Sequence, residues 1–371
     1  MKIGIDCRLW DETGVGRYIR NLVLNLQKLD KENEYILFVL SKNYKEINSQ
    51  LSTPNFQLVV ADIPWHSVKE QIKFPQILNR ENLDLVHFPY FSVPIFYNKP
   101  FVVTIHDLIL HHFPTGEAST LPLLFYKLKL LGYKFVFSKA AQKAKKIITV
   151  SNATKKEIID HLGTEKEKIK VIYEGVDDEL SNIKSQRSKI DIKYKNYFLY
   201  VGNAYPHKNL ERLLEAFKLL NSDANLVLVG KEDYFYKRLK KKAREMGISD
   251  RIVFLQNVSD QELVDLYRNA LALVLPSLME GFGLPALEAM ANNCLVLASN
   301  ISPLREVCSD AAIYLDPYNS KDIAEKMKEV CFNDLNHFSE KRDEGMERIE
   351  LFSWRKMAKQ TLAVYNQAAS F

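Results

Sequence analysis

Two glutamates enclose a glycine-containing turn in PSLMEGFGLPALEAM, residues 276–290. Glu280 stands before the turn and Glu288 after it. The apolar run LALVLPS predicts a strand before the turn, and ALEAMA predicts a helix after it. Pro285 suits the first helical position, so Leu284 would be the N-cap, although its side chain has no oxygen to bond the first N–H groups. The turn therefore either serves packing alone or presents those N–H groups to an anion.

The stretch TGVGRY, residues 13–18, places two more glycines between the first predicted strand and the first predicted helix. Gly14 and Gly16 at a helix N-terminus, with Arg17 beside them, suit contact with a phosphate or a sugar. The third glycine of a dinucleotide-binding fingerprint is replaced by Ile19, and no acidic residue ends the second strand. We therefore expect no nicotinamide cofactor. The sequence also contains no Walker A motif, which excludes a P-loop nucleotidase.

A lysine follows the first predicted strand of the second half, in VGNAYPHKNL, residues 201–210. Lys208 opens a predicted helix at the carboxyl end of that strand, where its charge would neutralise a diphosphate. The alternative is a solvated lysine near a helix start, with Asn209 as a simple cap. The motif alone leaves both readings open.

A histidine and an aspartate follow a predicted strand of the first half, in TIHDL, residues 104–108. A lone histidine is often structural. However, His106 and Asp107 lie just beyond the carboxyl end of the strand, the edge at which open α/β sheets bind their ligands. This position favours a functional role.

Composition limits the possible functions. The 371 residues suffice for two domains, and the 47% hydrophobic and 26% charged residues are typical of a globular protein. A net charge of +5 does not argue for a nucleic-acid partner. Because the chain starts directly in a predicted strand and has no apolar run near ~20 residues, we expect a cytoplasmic protein. The four cysteines lack the spacing of a zinc site or a disulfide framework: Cys7, Cys294, Cys308 and Cys331.

Short apolar runs alternate with amphipathic stretches in both halves, which is typical of βαβ units and mostly parallel sheets. We predict seven strands in the first half and five in the second, joined by a polar linker around residues 178–196. The expected fold is α/β, with two Rossmann-like domains facing each other across a cleft. These domains would span residues 1–180 and 196–350, and a C-terminal helix over 351–371 would return to the first domain.

Taken in order, these motifs resemble those of retaining glycosyltransferases of family 4, which have the GT-B fold. The paired glutamates of EGFGLPALE are the most specific part of the resemblance. It runs from TGVGRYIRNL to the closing FSWRKMA, nearly the whole chain, and includes VGNAYPHKN, the His-Asp pair, TVSNATKKEI and VIYEGVD. The resemblance implies an acceptor-binding first domain and a second domain that binds a nucleoside-diphosphate sugar.

In the second domain, the resemblance implies a role for each motif residue. Glu280 would orient the hydroxyls of the transferred sugar, and Glu288 would accept the ribose diol. Val258, at the end of the predicted strand RIVFLQNV, would dock the nucleotide base. The turn would bind phosphate or sugar oxygens through the N–H groups of four residues: Gly281, Phe282, Gly283 and Leu284.

In the first domain, the resemblance implies that His106, with Asp107, acts at the donor sugar. The glycine loop would contact substrate through Gly14, Gly16 and Arg17.

The chain departs from the family pattern at one position in VGNAYPHKN. The family commonly has an arginine where this chain has Asn203. Lys208 would therefore provide most of the positive charge that neutralises the diphosphate, with help from His207. A close subgroup of the family that has VGN…PHKN, often mannosyltransferases, shares this departure. The sequence contains no Asp-x-Asp pair. The resemblance therefore implies a metal-independent enzyme without a cofactor, in which the lysine and a helix dipole replace a divalent cation.

The activity implied is transfer of a hexose from a nucleoside-diphosphate sugar to a hydroxyl, with retention of anomeric configuration. GDP-mannose is the first candidate donor, and UDP- and dTDP-sugars remain open. The implied acceptor is a lipid-linked saccharide in the synthesis of a surface polysaccharide. The alternatives are a GT-B-type sugar-nucleotide epimerase or hydrolase and a non-catalytic sugar-nucleotide-binding protein.

One segment suggests a further partner. Residues 118–156 contain nine lysines and no acidic residue, and LPLLFYKLKLLGYKFVF places leucines and aromatic residues between the first lysines. Such a stretch suits the interface of an anionic membrane, although its apolar side would equally suit packing on the first sheet. We expect peripheral, salt-sensitive binding to an anionic bilayer.

Overall fold

The computed structural model describes most of the chain: residues 1–113, 123–176 and 196–369, apart from the side chains of residues 123–126 and Leu335. Most of the predicted linker and the start of the predicted membrane segment, residues 118–122, lie outside the described part. Within the described residues, no helix combines the length and the apolar character that crossing a membrane requires.

The first sheet consists of seven parallel strands: β1 (Lys2–Asp6), β2 (Glu34–Val39), β3 (Phe56–Val60), β4 (Leu85–Phe88), β5 (Phe101–Ile105), β6 (Lys146–Thr149) and β7 (Ile169–Val171). Their order is β3-β2-β1-β4-β5-β6-β7. Every residue of the central strands β4 and β5 is buried. This explains their continuous apolar sequence, because a parallel sheet is covered on both faces.

The helices that alternate with these strands are α1 (Gly14–Leu29), α2 (Tyr44–Gln50), α3 (Val68–Arg80), α4 (Ile109–His112), α5 (Leu123–Lys143) and α6 (Asn152–Leu162). Local chemistry fixes the ends of α6. The Ser151 hydroxyl accepts the Thr154 N–H at its start, and Gly163, with φ of 60°, ends it in the left-handed conformation.

The second sheet consists of six parallel strands: β8 (Tyr197–Val201), β9 (Asn225–Val229), β10 (Ile252–Leu255), β11 (Ala272–Leu275), β12 (Val296–Ser299) and β13 (Ala312–Leu315). Their order is β10-β9-β8-β11-β12-β13. The prediction of five strands was wrong because it omitted β13, a four-residue edge strand with only its two end residues buried. Such a short, half-exposed stretch gives little periodic signal.

The second half contains α7 (Leu210–Leu219), α8 (Tyr234–Glu245), α9 (Asp260–Asn269), α10 (Leu284–Ala291), α11 (Ser302–Cys308), α12 (Ser320–Phe332), α13 (Ser339–Ile349) and, at the C-terminus, α14 (Trp354–Ala369). The chain divides into two compact units. The first unit runs from Met1 to Glu174 and also contains α14, which packs on α1. The second unit runs from Gly175 to Ser353.

The predicted boundaries near the motifs need three corrections. The N-cap of α10 is Gly283, not Leu284, because only the glycine adopts the required φ of 106° without strain. Lys208 does not open a helix: it ends the 3₁₀ turn Pro206–Lys208, and α7 begins two residues later. Strand β10 ends at Leu255, so Val258 lies in the following loop.

The predicted α/β fold with two Rossmann-like sheets is confirmed. In both sheets the strand order reverses beside the first strand, between β1 and β4 and between β8 and β11. The carboxyl ends of strands at such a reversal form the usual ligand crevice of an open α/β sheet. The loops after β8 and β11 carry VGNAYPHKNL and the glutamate turn, so the second unit's motifs lie where this rule expects them.

Candidate active site

The loops after β8 and β11 meet in an ion pair. The Lys208 ammonium lies 2.7 and 2.8 Å from the two carboxylate oxygens of Glu280. The Ser277 hydroxyl donates to the same carboxylate at 2.7 Å. The side chains of Lys208 and Glu280 are 18% and 10% exposed. Two predicted catalytic residues, 72 positions apart in sequence, are therefore direct partners.

The electrostatics of this pair favour full ionisation. Burial alone would raise the pKa of the Glu280 carboxyl, but the Lys208 ammonium and the Ser277 hydroxyl outweigh burial and hold that pKa below its ordinary value. Burial, with the Lys208 charge, lowers the pKa of His207 to about 4. His207 is therefore neutral near neutral pH, and Lys208 supplies the positive charge of its loop.

The backbone before Lys208 is held by two tyrosines. The Tyr200 hydroxyl donates to the carbonyl of Asn203 at 2.6 Å, and the Tyr236 hydroxyl donates to the carbonyl of Gly202 at 2.8 Å. Asn209 lies at the N-cap of α7 but makes no side-chain cap. Its amide instead donates to the carbonyls of Pro276 and Pro317. This asparagine ties the loop after β8 to the loop after β11.

The turn between Glu280 and α10 depends on Gly283. A Cβ at this position would lie 2.6 Å from Leu304 Cδ2, in addition to the strain of its positive φ. Phe282 is buried and packs edge-on against Phe352, with ring centroids 5.7 Å apart. Gly281 and Leu284 are half-buried. The turn is thus fixed by packing on both sides of Gly283, while α10 begins directly after it.

Glu288 lies in the first turns of α10 and is 3% exposed. The hydroxyl of Tyr267, on α9, donates to Glu288 Oε2 at 2.7 Å. A fully buried tyrosine therefore orients the second glutamate of the motif. Val258 is half-buried and stands directly before Ser259, whose side chain forms a capping box with Glu262 at the start of α9.

In the first unit, His106 follows β5 and has a partner at each ring nitrogen. Its Nδ1 lies 3.2 Å from Glu174 Oε1, and its Nε2 lies 2.9 Å from the carbonyl oxygen of Pro89. Burial alone would lower the pKa of His106, but Glu174, with the Pro89 carbonyl and Asp107, outweighs burial and raises that pKa. Asp107 accepts the Ile109 N–H through Oδ1, which turns the chain into α4.

Several motifs of the first unit converge on His106. The Thr154 hydroxyl, from TVSNATKKEI, donates to the carbonyl of His106 at 3.3 Å. Tyr18, from TGVGRY, contacts the imidazole edge-on at 5.0 Å between ring centroids. Glu174 belongs to VIYEGVD. Motifs that are far apart in sequence therefore share one structural centre.

The glycine loop has a clear structural requirement at one position. A Cβ on Gly16 would lie 2.5 Å from the carbonyl oxygen of Trp10, whereas a Cβ on Gly14 would meet nothing within 4 Å. Gly16 thus permits the close approach of α1 to the preceding loop. Arg17 is half-buried in the first turn of α1.

Three side chains that contact the imidazole or carboxylate of a candidate site residue directly through polar atoms were not predicted from the sequence: Glu174, Tyr267 and Ser277. Glu174 lies within the motif VIYEGVD. Its position three residues after β7, at the carboxyl edge of the sheet, is the signal that would have identified it. Tyr267 and Ser277 carry no comparable signal. In the described part of the chain, no group of three or more His, Cys, Asp or Glu side chains is arranged to hold a metal ion.

Two family models match the chain in succession. Glycosyltransferase Family 4 matches residues 13–180, and Glycosyl transferases group 1 matches residues 182–345. The first match contains His106 and Glu174, and the second contains the Lys208–Glu280 pair.

Two curated relatives and one solved structure illustrate the similarity. O-antigen chain mannosyltransferase RfbU of Salmonella typhimurium is 31% identical over 267 residues, which are 72% of this chain and 68% of that protein. O-antigen chain mannosyltransferase B of Escherichia coli is 28% identical over 300 residues, 76% of this chain and 74% of that protein. Sucrose-phosphate synthase from Thermosynechococcus elongatus has a TM-score of 0.80 at 19% identity, over 99% of this chain and 98% of that chain. This last similarity concerns the fold.

Proposed function

Since the chain belongs to glycosyltransferase family 4 and is a glycosyltransferase, we propose that it transfers mannose from GDP-mannose to a saccharide acceptor with retention of configuration. The contact between Lys208 and Glu280 carries this proposal, because it brings a permanent cation to the strand reversal where a donor diphosphate would bind. The choice of mannose, and of a lipid-linked acceptor in surface polysaccharide synthesis, is supported by two relatives that are named O-antigen chain mannosyltransferases.

The proposed reaction is a front-face displacement through an ion-pair-like state. The bond between the anomeric carbon and the β-phosphate oxygen breaks, and the acceptor oxygen bonds to that carbon on the same face. The acceptor's proton passes to the departing phosphate. Lys208 and the N–H groups at the start of α10 stabilise the charge that develops on this phosphate.

Glu280 serves the sugar as a hydrogen-bond acceptor in this mechanism, not as a nucleophile. Both its oxygens already lie within 2.8 Å of the Lys208 ammonium, and Ser277 donates to one of them. An acceptor held in this way is well suited to receive sugar hydroxyls. Glu288, oriented by Tyr267, would accept the ribose diol in the same manner.

We propose that the activity needs no metal ion and no cofactor. The support is that Lys208 is charged and in place, so a lysine and a helix N-terminus supply the electrophilic role that a divalent cation has in other enzymes. Because His207 is neutral near neutral pH, we assign neutralisation of the diphosphate to Lys208 alone and not to Lys208 together with His207.

We further propose that α5 docks on an anionic membrane, where a lipid-linked acceptor would be met. Leu128, Leu131 and Phe135 are 60%, 65% and 53% exposed and follow a helical i, i+3, i+7 spacing, so they form one stripe. The opposite side of the helix is buried through Tyr133 and Phe137. The lysines of this helix flank the exposed stripe: Lys127, Lys129, Lys134, Lys139 and Lys143. Apolar residues between lysines suit the interface of an anionic bilayer.

A thermal-shift panel tests the donor. GDP-mannose is expected to raise the melting temperature more than UDP-, dTDP- or ADP-sugars, because binding to the native state adds about 2.7 kcal/mol at ~100-fold excess over Kd. Mass analysis of products then checks transfer: free hexose would indicate a hydrolase, and an isomeric sugar nucleotide an epimerase. Binding without any turnover would favour a non-catalytic sugar-nucleotide-binding protein.

The same assay repeated in excess EDTA tests metal independence. We expect unchanged turnover. Loss of activity that only manganese or magnesium restores would contradict the proposal.

A further inference from the structure

The contacts of His106 determine where its protons lie. A carbonyl oxygen only accepts hydrogen bonds, so Nε2, at 2.9 Å from the Pro89 carbonyl, carries a proton. Nδ1 faces a carboxylate oxygen of Glu174 at 3.2 Å, a contact that requires a second proton between the two groups. Geometry alone therefore favours the doubly protonated imidazole paired with a carboxylate.

The ring is also fixed in orientation. His106 and Glu174 side chains are 11% and 6% exposed, so both are largely removed from water. The Tyr18 ring stands nearly perpendicular to the imidazole, at 88°, and Thr154 bonds the His106 carbonyl. Rotation of the ring would break both nitrogen contacts at once and leave buried polar groups without partners, which is unfavourable.

We propose that Glu174 is a positioning residue, which keeps His106 doubly protonated and in one orientation at the carboxyl edge of the first sheet. The inference rests on the proposed glycosyl transfer in one respect: it takes for His106 the role at the donor sugar that the family resemblance implies. No proton is transferred in this role. Glu174 acts through His106, and replacing the carboxylate would leave the imidazole free to lose its proton or turn.

The other titratable groups that face His106 do not replace Glu174. They are His87 from β4, Tyr18 from α1 and Asp107 from the loop of His106 itself. Burial, with the charge on His106, lowers the pKa of His87 to about 3, and burial raises the pKa of Tyr18 far above its ordinary value, so both are neutral near neutral pH. Asp107 Oδ1 accepts the Ile109 N–H. Glu174 is the carboxylate in direct contact with the ring.

Proton NMR of the histidine ring resonances measures this pairing without any substrate. The chain has eight histidines, and the His106 signals are assigned by their loss in His106→Asn. In the wild type we expect the His106 titration midpoint to lie above the ordinary value for histidine. Glu174→Gln, which keeps the size of the side chain but removes its charge, is expected to move the His106 midpoint to lower pH. The matched control Glu165→Gln removes an exposed acid close to β7 and is expected to leave it unchanged.

The kinetic test is the pH profile of kcat/KM with the donor that the panel identifies. Glu174→Gln is expected to approach wild-type activity at pH below both His106 midpoints and to lose up to about 10²-fold between the midpoint of the variant and that of the wild type, the scale of losing one preorganised electrostatic contact. Glu174→Asp, which restores a carboxylate, is expected to recover part of the activity lost in that pH range. A merely structural role would instead lower kcat/KM by one factor at every pH.

Two results would overturn the inference: a His106 midpoint that Glu174→Gln does not move, or a pH profile that falls uniformly. If Glu174→Gln does not fold, a wild-type His106 midpoint at or below the ordinary value for histidine overturns the inference, and one above that value supports it. If the NMR midpoint moves as expected but no nucleotide sugar is turned over, the proposed function fails while the pairing stands. The two failures are therefore distinguishable.

Discussion

Both units contain a carboxylate paired with a basic side chain, but the basic side chain differs between them. Each places a largely buried carboxylate–cation pair at the carboxyl edge of a parallel sheet: His106–Glu174 in the first unit and Lys208–Glu280 in the second. The lysine pair joins an ammonium to the Glu280 carboxylate, whose pKa is held below its ordinary value. The histidine pair is charged only while the imidazole keeps its proton.

The pairs therefore limit stability at opposite ends of the pH scale. The pKa of His106 is raised in the folded state, so its contribution is fully present below the ordinary histidine value and is lost as pH rises through the folded value. The pKa of Glu280 is lowered in the folded state, so its contribution is present above the ordinary glutamate value and is lost as pH falls. The lysine pair therefore suits binding of a diphosphate at neutral pH, and the histidine pair makes the first unit sensitive to rising pH.

Substitution of Lys208 tests how much its pair with Glu280 contributes to the stability of the fold. Lys208→Met leaves the Glu280 carboxylate buried without its cation, which is expected to lower the free energy of unfolding by about 3–5 kcal/mol. Adding Glu280→Gln removes the stranded charge and is expected to restore most of this loss. Urea denaturation of the single and double variants gives both values.

Lys218→Met is the matched control, since Lys218 is exposed at the far end of α7. It is expected to change stability by no more than about 0.5 kcal/mol. A Lys208→Met variant as stable as this control would mean that water solvates the Glu280 carboxylate in place of the ammonium. The contrast between the two pairs would then disappear.

Turnover measured on folded protein separates the catalytic role of Lys208 from its role in stability. In fully folded Lys208→Met, turnover is expected to fall by roughly 10²–10³-fold, the scale of losing one preorganised charge at the departing phosphate. Lys208→Arg keeps a cation and is expected to lose less. Steady-state kinetics at saturating donor, with the folded fraction checked by circular dichroism, measures this. Wild-type turnover in Lys208→Met would show that the diphosphate is neutralised elsewhere.

The fold was largely predictable because its signals are local. Continuous apolar strands such as FVVTI and ALVL alternate with amphipathic helices, and a parallel sheet turns that alternation directly into topology. The positions of Lys208 and Glu280 at the carboxyl edge followed from the same rule. Their direct contact did not follow, because a pattern places residues at an edge but does not specify which side chains meet.

What the sequence did not reveal depends on tertiary contacts. Glu174 contacts His106 across 68 positions, and Tyr267 reaches Glu288 from a different helix. Neither relation has a spacing that a linear pattern could detect. The N-cap of α10 was misplaced by one residue because Pro285 fits the second helical position as well as the first, and only the positive φ of Gly283 decides between them.

The two units also differ at the surface. Each unit has a lysine-rich helix, α5 in the first and α8 in the second. Helix α8 buries its apolar face through Phe235, Tyr236 and Leu239, whereas α5 exposes a stripe of apolar residues between its lysines. If charge alone governed membrane binding, both helices would bind. If an exposed apolar stripe is also needed, α5 alone would bind.

Changing Lys127, Lys129 and Lys134 to Glu is therefore expected to weaken binding to anionic liposomes, since each lysine near such a surface contributes about 1 kcal/mol. The matched control changes three basic residues of α8, Lys237, Lys241 and Arg244, to Glu, and is expected to leave binding within a few-fold of the wild type. Co-sedimentation with vesicles that contain phosphatidylserine, at low and high salt, measures both, and wild-type binding should fall with salt because the attraction is screened. If both variants lose the same amount of liposome binding, net charge alone explains the effect, and α5 is not a specific docking element. If the folded wild type does not bind these vesicles at low salt, the exposed stripe on α5 serves some purpose other than membrane binding.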